Sequence, residues 1–170
     1  MAKLITDLET IACVTQRNDD KNLAFRSFIK GELDWSERKL DELVHEIVRS
    51  VTSEIDCTKC ANCCRVLGIE VHSEEIKRLS QRLGVSEQEF QGSHVIRTDD
   101  GEKVFGERPC FFLRDRKCTV YEDRPRDCRD YPHLHKKGFR TRMLSVLHNA
   151  AICPIVFNVL EQLKERLKWR

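Results

Sequence analysis

Aromatic residues, long apolar runs and an excess of either charge are what this chain has least of. Aromatic residues make up 7% of its 170 positions, with only two Trp and two Tyr, and the 40% hydrophobic content can build only a modest core. No run of about 18 apolar residues occurs, so no transmembrane helix is expected. The opening stretch Met1-Ala2-Lys3-Leu4-Ile5-Thr6-Asp7-Leu8-Glu9 lacks the unbroken apolar segment of a signal peptide. The expected location is therefore cytoplasmic, where thiols stay reduced. Charged residues are 34% of the chain but sum to a formal +2. Basic and acidic positions are interleaved, a balance that does not predict a nucleic-acid binder. There is no P-loop, no dinucleotide-type glycine pattern, no serine-hydrolase elbow, no internal repeat and no low-complexity segment.

Cysteine is what the chain has in quantity. Eight of its nine cysteines follow residue 56, and four form one run, Cys57-Thr58-Lys59-Cys60-Ala61-Asn62-Cys63-Cys64. A C-x-x-C turn points two sulfurs at one ion, and the next step of the same spacing adds a third. Soft thiolates select zinc, iron–sulfur clusters or Cu(I) over Ca²⁺ and Mg²⁺. Clustered cysteines in a reducing compartment argue for metal ligation over disulfides. Cys110, Cys118, Cys128 and Cys153 complete a set of eight, enough for two tetrahedral sites or for a four-iron cluster plus a zinc. The run matches the first three ligands of the bacterial ferredoxin spacing, whose fourth cysteine precedes a proline, and Cys153-Pro154 stands far downstream. Zinc fits equally well. Cys63 and Cys64 are neighbours, so their side chains diverge on a helix or a strand. The expectation is that they serve two different sites, or that one ligates and the other packs. Cys13 stands apart and reads as a small buried hydrophobe.

The rest of the pattern predicts an α+β fold: a small single domain of helices and short hairpins around one or two cysteine-ligated metal sites. Leu4, Leu8 and Ile11 suggest a short N-terminal helix, with a break over Arg17–Lys21. Leu40, Leu43, Val44, Ile47, Val48 and Val51 form one apolar stripe on a helix capped by Ser36. An exposed stripe would mark a partner-binding module built on structural zinc; a buried one would weaken that reading. A short strand is expected over Val66–Val71, then a helix from Ser73 to Gly84 and a further turn between Ser86 and Phe90. Two hairpins are expected, over 94–106 with Asp100-Gly101 as its turn and over Cys110–Tyr121 with a charged tip at 114–117. Residues 122–137 read as loop, because Pro125 and Pro132 interrupt regular structure. A last helix is expected over about 155–168. This divides the chain into an N-terminal helical segment (1–56), a cysteine-cluster metal-binding domain (57–154) and a C-terminal helix packed on it (155–170). Arg124 and Arg129 are candidates for offsetting thiolate charge, the alternative being a solvated loop held by Arg–Asp pairs. His133 and His135 follow Cys128 closely enough to be weighed as substitute ligands, although a surface or core histidine is the more ordinary reading.

These residues resemble a known family, small cysteine-cluster proteins named for a C-x-x-C-x-x-C-C motif and described as zinc- or iron-chelating. The resemblance rests on Cys57, Cys60, Cys63 and Cys64, on Pro109-Cys110-Phe111-Phe112-Leu113, on Cys118-Thr119-Val120-Tyr121, on Arg124-Pro125-Arg126-Asp127-Cys128-Arg129-Asp130-Tyr131-Pro132 and on Cys153-Pro154. It leaves out the first 56 residues. Family members often continue the last cysteine as C-P-G, where this chain has Cys153-Pro154-Ile155. The resemblance implies chelation of zinc or iron, including an iron–sulfur cluster, with no general activity assigned. Flagellin lysine-methylases are similar in their cysteine motif, in larger chains, which makes an iron–sulfur-dependent enzyme a rival reading. No S-adenosylmethionine pocket is recognisable in this sequence, so that activity is not transferred. The partner implied is a metal ion, with a protein partner as a further option and neither membrane nor nucleic acid indicated.

Overall fold

The structure, a computed structural model, describes residues 3–169. Its chain divides into two compact units, residues 1–57 with 132–170 and residues 58–131. The secondary structure is mainly helical with two small antiparallel sheets, an α+β composition.

The first unit is helical. The N-terminal helix forms as α1, Leu8–Arg17, capped by the Asp7 carboxylate on Thr10 N–H. The expected break at Arg17–Lys21 is narrower than predicted. Only Asn18 leaves helical geometry before α2, Asp19–Ser27, which runs into a π-helical turn at Phe28–Glu32. Cys13 is exposed on α1, not buried: Ile11 is the residue that turns inward, and Arg17 approaches the Cys13 sulfur at 3.9 Å. The predicted stripe is α3, Glu37–Glu54, started by Ser36 Oγ accepting from Lys39 N–H at 3.2 Å. Leu40, Val44, Ile47 and Val51 are buried, each at 2% exposure or less, while Leu43 and Val48 are half-buried, which weakens the partner-surface reading. The helix packs on α10, Pro154–Arg166, which is buried on nearly every face and starts with proline at its first turn. Asn158 of α10 accepts from Ile5 N–H at 3.0 Å and donates to Ile5 O at 2.7 Å, fastening the N-terminal segment.

The helix α9, Met143–Ala150, has no counterpart among the predicted elements. Its buried residues Met143, Val146, Leu147 and Ala150 have helical spacing, but the segment is short. Asp41 of α3 holds the turn before it, accepting from Gly138 and Phe139 N–H, both at 2.9 Å.

The second unit carries six cysteines and the sheets. The cysteine run folds as two single helical turns, α4 (Cys57–Cys60, whose first residue belongs to the other unit) and α5 (Cys63–Val66). Ala61 lies between them in left-handed conformation, φ 53°. The predicted strand at Val66–Val71 is largely absent. Val66 ends α5 and Glu70 makes one bridge to Val104. Then come α6, Ser73–Leu83, and α7, Glu87–His94. The N-cap of α6 is His72 rather than Ser73, its N–H bonded to the Glu75 carboxylate at 2.8 Å. Gly84, φ 70°, ends α6 through Val85 N–H to Ser80 O and Gly84 N–H to Gln81 O, both 3.1 Å. α7 runs four residues beyond the predicted turn. Both hairpins form, the second shorter and tighter than expected, since its strands take in Arg114 and Lys117 of the supposed tip and Tyr121 lies outside it. β1 (Val95–Arg97) pairs with β2 (Lys103–Phe105), and β3 (Leu113–Arg114) pairs with β4 (Lys117–Cys118). Residues 122–137 are less irregular than predicted. A 3₁₀ turn at Tyr121–Asp123 leads to α8, Arg126–Asp130, which Pro125 precedes without disrupting because a helix start needs no N–H there. Ile69, Val71, Ile76, Leu79, Phe90, Phe105, Phe112 and Val120 form this unit's core.

Candidate metal centre

Cys110, Cys118 and Cys128 pack against that core and Cys64 acts electrostatically on all three, each cysteine being brought by a different short element. Cys64 comes from α5, Cys110 from the loop before β3, Cys118 from the end of β4 and Cys128 from α8. Cys110 N–H donates to Cys64 O at 2.8 Å, tying the cysteine run to the second hairpin. The hairpin sets the next two sulfurs, with Cys118 in register with Leu113 and Thr119 N–H bonded to Phe112 O at 2.9 Å. α8 is fixed from α6. The buried Glu75 carboxylate that caps His72 also accepts Arg126 N–H at 2.6 Å, and Arg78 donates to Asp123 O at 3.0 Å. Sequence reasoning missed Glu75; the signal available was its position three residues after the helix cap.

The four thiols influence one another electrostatically. Cys64 raises the thiol pKa of Cys110, Cys118 and Cys128; Cys118 raises that of Cys110; Cys110 and Cys118 raise that of Cys128. All six pairs therefore interact. Burial acts first and in the same direction, pushing Cys110 up to about 11, Cys128 well above the ordinary thiol and Cys118 upward. Two of the sulfurs also accept backbone N–H groups from two residues ahead, Phe112 to Cys110 and Val120 to Cys118. Such donors stabilise the thiolate form. Cys64 differs: hydrogen bonding from Cys63, the largest influence, brings it down to about 7 against the cost of burial.

The Cys63 and Cys64 sulfurs are 4.0 Å apart. A tetrahedral site with Zn–S of about 2.3 Å separates its sulfurs by about 3.8 Å, so on distance this adjacent pair is compatible with one ion. Cys60 lies in the same unit, half-buried. Cys57, exposed, and Cys153, 7% exposed at the N-cap of α10, belong to the other unit. Among the described residues, no three Cys, His, Asp or Glu side chains already form a closed metal cage; the sulfurs are gathered but not closed on a point. Their chemistry suits a soft ion: four thiols, an apolar flank and N–H donors to two of the sulfurs. No disulfide joins any of the cysteines.

The two arginines divide their work. Arg124 lies over the Tyr121 ring at 3.8 Å and its charge lowers the pKa of Cys118. Arg129 donates to Arg124 O at 3.1 Å and Glu122 O at 2.8 Å, bracing the loop. His133 is half-buried and His135 exposed, both in the first unit.

No curated protein and no solved structure shows significant similarity to this chain. A family model does: the CxxCxxCC domain, described as a "putative zinc- or iron-chelating domain", matches residues 56–154, more than half of the chain, and the protein belongs to that family.

Proposed function

We propose that this protein holds a metal ion through Cys64, Cys110, Cys118 and Cys128, and that the ion is zinc in a structural, four-sulfur site. The observation that carries the reading is the mutual interaction of these four thiols in all six pairs. Four thiolates without a bound water are the donor set of a closed structural zinc site. The ion would supply two positive charges where four half-buried thiolates repel, and would join α5, the second hairpin and α8 through one point. Phe112 and Val120 N–H would steady two of the sulfurs, and Arg124 would offset part of the net charge of the site. Cys63, beside Cys64, is the alternate donor. The site acts in folding rather than in catalysis, coupling metal binding to the order of residues 58–131.

The test is elemental analysis with an absorption spectrum on anaerobically purified protein. The reading predicts a colourless protein with about one zinc per chain, retained in Cys57→Ser and Cys153→Ser and lost in Cys110→Ser and Cys128→Ser. Zinc plus iron below half an equivalent in a folded protein would sink it. A brown protein with iron and acid-labile sulfide would replace it with the iron–sulfur reading.

A further inference from the structure

The first unit carries a cavity of about 250 Å³ that the metal centre does not use. It is lined by His133, Lys136, Arg142, Ser145 and Asn149, with Val146 as an apolar wall. No carboxylate lines it, and the sequence contains no Asp or Glu from Pro132 to Leu160, while Lys136, Lys137, Arg140 and Arg142 fall within that span. Arg142 sets the charge of the cavity. Among the described residues its guanidinium donates to main-chain oxygens alone, of His133 at 2.8 Å, of Lys137 at 3.4 Å and of Lys136. These bonds fix the cation in place without neutralising it. The carboxylates that act on it, Asp41 and Glu37, are engaged elsewhere, Asp41 on Gly138 and Phe139 N–H and Glu37 on Arg140. Arg142 and Ser145 are also the N-cap and first turn of α9, so the positive end of the helix adds to the field.

Among the described residues no carboxylate contacts the half-buried Arg142 guanidinium, whose charge three carbonyl oxygens offset only in part, and an anion entering the cavity would offset more of the cost. The size decides what kind. Sites for drug-sized ligands run from about 300 to 1,000 Å³, so this cavity suits a single charged group and not a whole nucleotide. A group carrying about two negative charges and several acceptor oxygens matches two cations, a hydroxyl and an amide better than a carboxylate does.

We propose that this cavity binds a phosphate group, free or on a small monoester, between Lys136, Arg142, Ser145 and the start of α9. The test is a titration of the ¹⁵N-labelled full chain with inorganic phosphate and, separately, methyl phosphate, against sodium chloride at matched ionic strength. Saturable shifts at Arg142 and Ser145 amides are expected with phosphate and not with chloride. The stronger of the two arms identifies the source, free ion or monoester. Lys136→Gln should weaken binding by about tenfold, the worth of one hydrogen bond to a charged group. Lys137→Gln, exposed and off the lining, should leave it unchanged. Absence of saturable shifts in both arms overturns the proposal. Equal weakening by the two lysine variants also overturns it, because that is the signature of diffuse charge.

Discussion

Cys64 and the three thiols that face it occupy opposite ends of the cysteine reactivity scale. Hydrogen bonding from Cys63 holds Cys64 near 7, while burial keeps Cys110, Cys118 and Cys128 protonated at neutral pH. Brief iodoacetamide treatment of metal-free protein at pH 7 should therefore label Cys64 ahead of the other three, with metal abolishing the difference by protecting all four; peptide mass mapping reads this. Equal labelling would contradict the environment assigned to Cys64. The raised thiols also give the metal-free fold a pH dependence. Below the unfolded thiol value, near 9, they are neutral in both states and their contribution is complete. As pH rises toward the folded value of about 11 for Cys110, the unfolded chain ionises first and stability falls. Thermal melts in chelator should thus show a declining Tm between pH 9 and pH 11. The metal-loaded protein should instead lose its ion on acidification, as protons compete for the sulfurs. Much of this donor set was legible in the sequence, because thiol type and spacing carry coordination chemistry. The pairing was not. The divergence expected of adjacent side chains concerns Cβ directions, whereas the sulfurs of Cys63 and Cys64 end 4.0 Å apart.

Short elements position the sulfurs, so their stability depends on a few polar contacts. Glu75 accepts His72 N–H and Arg126 N–H from a buried position. Glu75→Ala should cost about 3 kcal/mol, since two N–H groups lose a charged acceptor, and should weaken metal binding through displacement of α8. Urea titration and a competitive chelator assay measure the two effects. A loss within about 0.5 kcal/mol, typical of a surface change, would remove Glu75 from this role. The tip of the second hairpin is a two-residue turn with Asp115 and Arg116 both at positive φ, 47° and 64°. Arg116→Gly should stabilise by about 1 kcal/mol, because glycine carries no side-chain penalty in that conformation. Denaturant midpoints test this, and a neutral or negative effect would show that the Arg116 side chain compensates for its backbone. Both hairpins and the two long helices α3 and α10 were legible, since turn residues and 3.6-residue stripes are local signals. α8 was hidden by its flanking prolines, and the supposed strand at Val66–Val71 by an apolar run too short to distinguish a strand from a helix end followed by a bridge.

At the scale of the whole molecule the two units differ in what holds them together. Residues 1–57 and 132–170 enclose α3 and α10 with an apolar interior of aliphatic side chains and the rings of Phe25, Phe139 and Phe157. Residues 58–131 have a smaller core, ringed by cysteines, and two-residue strands that cannot be stable alone. Chelation should therefore raise amide exchange over 58–131 while α3 and α10 keep their protection, which hydrogen exchange with mass spectrometry resolves by segment. Uniform loss across the chain would contradict a metal role confined to the second unit. This contrast was not legible in the sequence. Composition averages over the chain, and the division depends on which residues meet across long separations. The measurement that tests the central claim most directly is X-ray absorption at the metal edge of the purified protein. The account predicts zinc bound by four sulfurs at about 2.3 Å, with one sulfur lost in Cys128→Ser should any ion remain. Nitrogen or oxygen ligands, or iron with a second iron beyond the sulfur shell, would contradict it.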